Sequence, residues 1–494
     1  MNKVSPFLFF LILGILLSMV FSSGQIENPD THLRLTQARI YLEEGLLLMP
    51  QNVGEEMHGN VATIAGQRCM VYNPGQSLIF VPFYAFAKLL FSDQGEVYYF
   101  AAFLVSFINL IIHAFSAYLL FRICSNLGST NKQAFIVSLI FCFTSFSLLA
   151  AQHTYEHHFE MFFVLLSFLF ATSKQYRYNW FYAGFAISLG LVFRNTTIFA
   201  IPALILLLDK RQILKFGFGL VPGFIFVLVY NYLRFDNVFE TGYGTAWTLA
   251  NGSELKFWSL ERAPINFFGL LFSPAKGVLL FSPTVFIGLF LMKRLWLSNR
   301  GIALSVIVLS LTYLCVFAMN FAWHGSIWSF GPRYILPIVP FLYLPLVHLK
   351  LNKWFLTVLG FVFFGQVLLM SVNFKRALLS AYIKNGPINE VQYIYDWNNV
   401  PYASQLRQFQ LILPINLNGQ LVDYFPHEPW KKEIRTGSNE SLIQNSLEKT
   451  SINFWWVRAY HERNNILEKV LSVFVLFLAI IGSYFLTLKI KRYA

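Results

Sequence analysis

Twelve apolar runs, each long enough or nearly long enough to cross a bilayer, leave this chain few ways to fold. They lie at 4–23, 97–121, 133–151, 155–173, 179–193, 195–208, 212–232, 277–292, 301–322, 333–349, 354–374 and 465–488. A spanning helix needs about 20 predominantly apolar residues. Inside hydrocarbon, every backbone N–H and C=O must also be paired within the chain. The runs therefore predict an all-α polytopic membrane protein with about 12 spans, 11 to 13 depending on how the short runs are divided. With 56% hydrophobic and only 12% charged residues, an ordinary soluble domain is excluded. Gln76 to Phe91 would make a thirteenth span. Pro82 interrupts it, however, and counting it inverts the charge pattern downstream, so it is expected as a half-buried helix on the outer surface.

Charge sets the orientation. With the N-terminus inside, the inner loops and tail collect fifteen Lys and Arg, from Lys3 to Arg492, against the single acid Asp209. That asymmetry is the positive-inside pattern, and it makes both termini cytoplasmic. The net charge of +13 is thereby accounted for as topology. Its basic residues are scattered, which speaks against a nucleic-acid partner. The run from Val4 to Phe21 follows Lys3 and lacks a convincing small-residue cleavage site, so it is expected as an uncleaved first span. Of four cysteines only Cys69 falls in an outer loop, which indicates no disulfide framework.

The long loops, 24–96, 233–276 and 375–464, all fall on the outer side, so any chemistry is expected there. The predicted organisation is a transmembrane module over 1–374, a small extracytoplasmic cap over 375–464, and a final span with a cytoplasmic tail over 465–494. The first outer loop should carry amphipathic helices lying on the membrane surface. In the helix starting near Asp30, the 3.6-residue period places Asp30, Arg34, Gln37, Tyr41 and Glu44 on one face and Leu35, Ala38, Leu42 and Leu46 on the other.

Charges inside the spans, namely Glu156, Glu160, Lys215, Glu468 and Lys469, lie within about two turns of a predicted end. An ion-coupled transporter usually needs such groups near the midplane. The candidates gather instead at outer helix ends: Asp30 with Arg34, Arg68, Glu156 with His157, Arg194, Lys276 and Arg333. Asp30 follows Pro29 and fits a helix N-cap; it equally suits a general base that takes a proton from an acceptor hydroxyl. Each basic residue alone could snorkel to headgroups, whereas their convergence suits the charge on a leaving phosphate. His153, His157 and Glu160 fall at a helical spacing that could hold a divalent metal, although interfacial histidines without metal are common. Metalloprotease, serine-hydrolase and P-loop signatures are absent.

In DTHLR (Asp30, Arg34), YNPGQSL (Tyr72 to Leu78), QHTYEHHFE (Gln152 to Glu160), the Ser-Pro-Ala-Lys-Gly turn at Lys276 and the Trp-rich Gly-Pro-Arg turn at Arg333, the chain resembles the GT-C membrane glycosyltransferases. Within them it is most similar to the branch of protein O-mannosyltransferases and lipid A aminoarabinose transferases. The resemblance covers most of 1–374. It implies a polyprenyl-phosphate-linked sugar donor, a glycan, lipid or protein acceptor, and inverting transfer on the outer face of the bacterial inner membrane, with no cofactor required. Asp30 would be the base, and Arg34, Arg194, Lys276 and Arg333 the phosphate ligands. Tyr72, Glu156, His157, Trp323 and Trp328 would contact donor or acceptor. Two departures stand out: the family's frequent Asp-Glu pair is here Asp30-Thr31, and Arg34 lies four residues on rather than three. A lipid or polysaccharide translocator and an O-antigen ligase or polymerase are the alternative readings.

Overall fold

The computed structural model describes residues 5–45, 61–64, 67–173, 175, 177–242, 258–325, 329–350, 352–373, 394–417, 452–462 and parts of 470–482. Trp328, most of the expected cap and most of the last span lie outside the described residues.

The described chain is almost wholly helical. Ser5 caps α1 (Pro6–Phe21) by accepting from the Leu8 N–H, and Pro6 sits in the first turn, where its missing donor costs nothing. The first outer loop holds α2 (Pro29–Glu43), a hairpin of β1 (Val61–Ile64) and β2 (Gln67–Met70), and α3 (Gly75–Leu90). The hairpin is the one exception to an all-α chain among the described residues, and its strands of four residues each are too short to stand out in hydropathy. Then follow α4 (Gln94–Val105), α5 (Ile108–Asn126), α6 (Asn131–Thr144), α7 (Phe146–Ala151), α8 (His157–Thr172), α9 (Asn179–Phe193), α10 (Ile201–Ile205) and α11 (Ile213–Phe235). The second half contains helices Ala263–Phe272, Thr284–Ser298, Arg300–Met319 and Lys353–Ser371, with shorter pieces at Pro401–Leu417 and Trp455–Glu462.

Among the described residues, four stretches are long and apolar enough to cross a bilayer: Gln94–Asn126, Lys210–Phe235, Arg300–Met319 and Lys353–Ser371. The protein is an integral membrane protein. Several runs read as single spans are divided into shorter helices. The run 133–151 breaks at Ser145, whose backbone is extended, and 277–292 breaks at Ser282–Pro283. Residues 333–348 alternate 3₁₀ and α turns around three prolines, Pro337, Pro340 and Pro345. Broken backbone at membrane depth survives only where protein covers it, and Arg333 to Leu346 are buried almost throughout. Conversely α11 and Lys353–Ser371 turn Leu214, Phe218, Trp354 and Phe361 outward, as a lipid-facing surface requires.

Helix α2 differs from the expected surface helix. Arg34 and Gln37 on its polar side are 1% exposed, as deeply covered as Leu35 and Ala38 on the other. The apolar side packs with α3 and α4 around Phe80, Tyr84 and Val97, while the polar side faces the protein interior. Leu35 and Ala38 are buried as the period expects, but Leu42 is 39% exposed and Leu46 lies outside the described residues, while Arg34 and Gln37, expected to meet water, are covered by protein. Helix α3 runs through Pro82 without stopping.

Helices α9 and α11 pack backbone against backbone. A Cβ at Gly219 would lie 2.2 Å from the Phe181 carbonyl oxygen, and one at Gly184 would lie 2.2 Å from that of Phe216. Small residues let the backbones touch where no hydrophobic effect drives helices together. Gly219→Leu is expected to abolish monodisperse folded protein on gel filtration. Gly217→Leu, two residues away where a Cβ meets nothing within 4 Å, should leave the yield near that of the parent.

Candidate functional site

The site begins at the start of α2. Asn28, extended and fully buried, is the N-cap: its side-chain oxygen accepts from the Thr31 N–H at 2.8 Å. Asp30, expected as the cap, lies instead in the first turn. Pro at the first helical position makes its predecessor the cap, so Pro29 assigns that role to Asn28. Asp30 Oδ2 stands 3.4 Å from Arg333 Nη1.

One turn on, Arg34 Nη2 approaches Glu156 Oε2 to 2.7 Å, an ion pair whose angle falls outside hydrogen-bond geometry. Glu156 Oε1 receives Arg194 Nη1 at 2.5 Å, so the carboxylate bridges two guanidiniums. Arg194 also pairs through Nε with Glu160 at 3.1 Å and meets His157 Nε2 at 2.8 Å. Glu160 in turn accepts from Thr196 at 2.6 Å and Tyr313 at 2.9 Å. Aromatic faces fix the cations from above: the Arg34 carbon lies 3.8 Å from the Tyr72 ring centre, and that of Arg333 3.9 Å from Tyr155. Tyr334 lies 5.3 Å from both Arg194 and Arg333 and stacks on His157. Planar guanidinium is well suited to stacking and pairing at once.

Burial is uneven. The Arg34 and Glu156 side chains are 1% and 5% exposed, whereas Asp30, at 17%, is the most accessible charge in the cluster. Buried donors without acceptors are uncommon. Arg34 Nη1 and Arg333 Nε are two such donors among the described residues. The arrangement therefore offers a reachable carboxylate beside guanidinium edges that can still donate to an anion.

The structure brings together Asp30, Arg34, Tyr72, Glu156, His157, Arg194 and Arg333 from the sequence-predicted set. Lys276, from the same set, is 1% exposed. That ammonium donates to the Ser329 carbonyl and hydroxyl, the latter at 3.3 Å. His324 lies near both Lys276 and Arg333. Burial, with Lys276 and Arg333 nearby, pushes its imidazole down to about 3, leaving it neutral at neutral pH. Trp323 is buried against Tyr395 and over Gly269. His153, His157 and Glu160, considered together for a metal, are partnered separately: His153 with Glu27 at 2.8 Å, the other two with Arg194. Sequence reasoning missed Tyr155, Tyr334 and Tyr313 as site residues. Tyr155 and Tyr334 each adjoin a charged residue that was singled out, which was the available signal.

Searches against protein-family models and against curated proteins found no match. Solved structures do match. The chain superposes on apo ArnT from Cupriavidus metallidurans with a TM-score of 0.50 at 12% identity, over 96% of this chain and 76% of that one. This is the GT-C fold. ArnT bound to undecaprenyl phosphate matches at a TM-score of 0.44 and 13% identity, over 97% of this chain and 76% of that one. The apo oligosaccharyltransferase of Archaeoglobus fulgidus matches at 0.46 and 11%, over 96% of this chain, which spans only 60% of that protein.

Proposed function

We propose that this chain is a membrane glycosyltransferase that moves a sugar from a polyprenyl-phosphate donor to a hydroxyl-bearing acceptor on the outer face, in a single inverting displacement. The observation that carries the reading is the meeting of an accessible carboxylate, Asp30, with Arg333 at 3.4 Å, beside donors on Arg333 and Arg34 that lack acceptors. Asp30 takes the proton from the acceptor hydroxyl as its oxygen bonds to the anomeric carbon. The bond from that carbon to the phosphate oxygen breaks, and the electron pair stays with the leaving phosphate. Arg333 and Arg34 stabilise that charge by charge-assisted hydrogen bonds.

Arg194 acts differently from Arg34 in this scheme. Its bonds to Glu156, Glu160 and His157 make it the anchor of the cluster, and Glu156 orients both cations. Lys276 sets the field around His324 and the Arg333 turn rather than touching phosphate first. Written this way, the reaction needs no cofactor or divalent metal. The acceptor is a glycan, lipid or protein hydroxyl.

Binding of a fluorescent polyprenyl phosphate to the detergent-purified protein tests the phosphate half of the reading. Hydrogen bonds to charged groups are worth about 1.5–3 kcal/mol. Arg34→Ala and Arg333→Ala should therefore each raise Kd by about 10- to 150-fold. Arg211→Ala, on a predicted inner loop, should leave it unchanged. Unaltered affinity in both site variants would remove these residues from phosphate recognition and the reading with them.

A further inference from the structure

A second buried polar cluster lies on the far side of the Asn28–Asp30 turn, and the transfer scheme leaves it without a task. Glu27, 1% exposed, contacts His153 Nδ1 through Oε2 at 2.8 Å and accepts from Asn453 Nδ2 through Oε1 at 2.6 Å. Its neighbour Asn28, the cap of α2, donates to the His153 carbonyl at 2.5 Å. Gln152 Nε2 reaches the carbonyls of Phe21, Asn453 and Met370 at 2.9, 3.1 and 3.2 Å. Three backbone turns thus share one knot: the turn carrying Asp30, the turn carrying Glu156, and residues 452–458.

The third turn is fastened along its length. The Trp455 N–H donates to Ser22 at 3.0 Å and that of Asn453 to Ser371 at 2.8 Å. The indoles of Trp455 and Trp456 donate to Met19 and Val20 at 2.7 and 2.9 Å, and Arg458 donates to the Ser23 carbonyl. Gly24 has φ +69°, and a Cβ there would come within 2.4 Å of Trp455 Cβ, so this approach requires glycine.

A carboxylate deep in protein is costly unless fully paired. Burial raises the Glu27 pKa, but the bonds from His153 and Asn453 and the Arg458 charge outweigh it and hold the carboxyl below its usual range. Apolar residues would brace three turns at least as stably. What a two-armed carboxylate adds is a fixed distance and direction between its partners. Here those partners are the segments that bring Asp30 to the Arg34–Glu156–Arg194 cluster.

Resting on the transfer reading above, we propose that Glu27 is a positioning residue. It sets Asp30 against the phosphate-binding arginines, and Asn453 and Arg458 make that setting depend on the C-terminal outer segment. The full-length protein tests this in Glu27→Ala, Glu27→Gln and Asn453→Ala. Amide exchange is measured over 24–35 and 150–158, alongside kcat, donor KM and melting temperature. Glu27→Ala and Asn453→Ala should speed exchange in both peptides. A displacement of about 1 Å at a reacting group can cost a hundredfold, so kcat should fall about 10- to 100-fold with donor KM nearly unchanged. Glu27→Gln, which keeps an acceptor for Asn453, should recover most of both losses. Unchanged exchange, or a lower melting temperature with kcat intact, overturns the proposal. Should Glu27→Ala fail to fold, Asn453→Ala carries the same criteria. If even the parent protein transfers no sugar, the transfer reading fails, while the exchange pattern still decides whether Glu27 holds the two turns together.

Discussion

Asp30→Asn should reduce the rate of sugar transfer by about 10²- to 10⁴-fold, the usual worth of a positioned general base, while polyprenyl-phosphate binding survives. The amide keeps the shape of the side chain and its place in the first turn of α2, but it cannot take a proton. Because Asn28 holds the N-cap, the substitution does not touch the helix start, and the melting temperature should stay close to that of the parent. Arg333 keeps its seat over Tyr155, so the proposed phosphate ligands remain in place. Single-turnover transfer with excess enzyme separates this chemical defect from a binding defect. A rate within about threefold of the parent, less than 1 kcal/mol in activation free energy, would exclude Asp30 as the base.

Glu156→Ala should lower stability strongly while still giving folded protein. Removing one partner of a buried ion pair costs about 3–5 kcal/mol because the other charge is left uncompensated, and Glu156 compensates both Arg34 and Arg194. The variant should melt markedly lower in detergent. Glu156→Gln, which retains an acceptor, should fall between it and the parent. Added polyprenyl phosphate should then raise the melting temperature of Glu156→Ala, since an anion bound only to the folded state stabilises it by mass action. Equal melting of all three proteins would show that the two arginines do not depend on this carboxylate.

The legible and illegible parts of this protein divide by how far apart in the chain the cause lies. Apolar runs and basic loops are local signals, and they located most helices and the candidate charges. Pro29 even announced Asn28 as the cap, a clue passed over in favour of Asp30. The break at Ser282–Pro283 is visible in sequence, whereas that at Ser145 is not, because its extended backbone is held by surrounding protein. The partners of Glu156, at positions 34 and 194, and the bond between Glu27 and Asn453 depend on tertiary packing that no spacing rule encodes. The inward turn of the polar face of α2 has the same origin: amphipathicity states that two faces differ, and the rest of the fold decides which one meets solvent.

Arg34 and Arg333 sit over the rings of Tyr72 and Tyr155, 3.8 and 3.9 Å from their centres. A guanidinium held by its face has little freedom left except in its rim, so its N–H vectors are already aimed before any anion arrives. Under the proposed transfer, little reorganisation would then accompany charge build-up on the leaving phosphate. An ammonium in the same seat, lacking both plane and rim, would have to find its direction anew at each turnover.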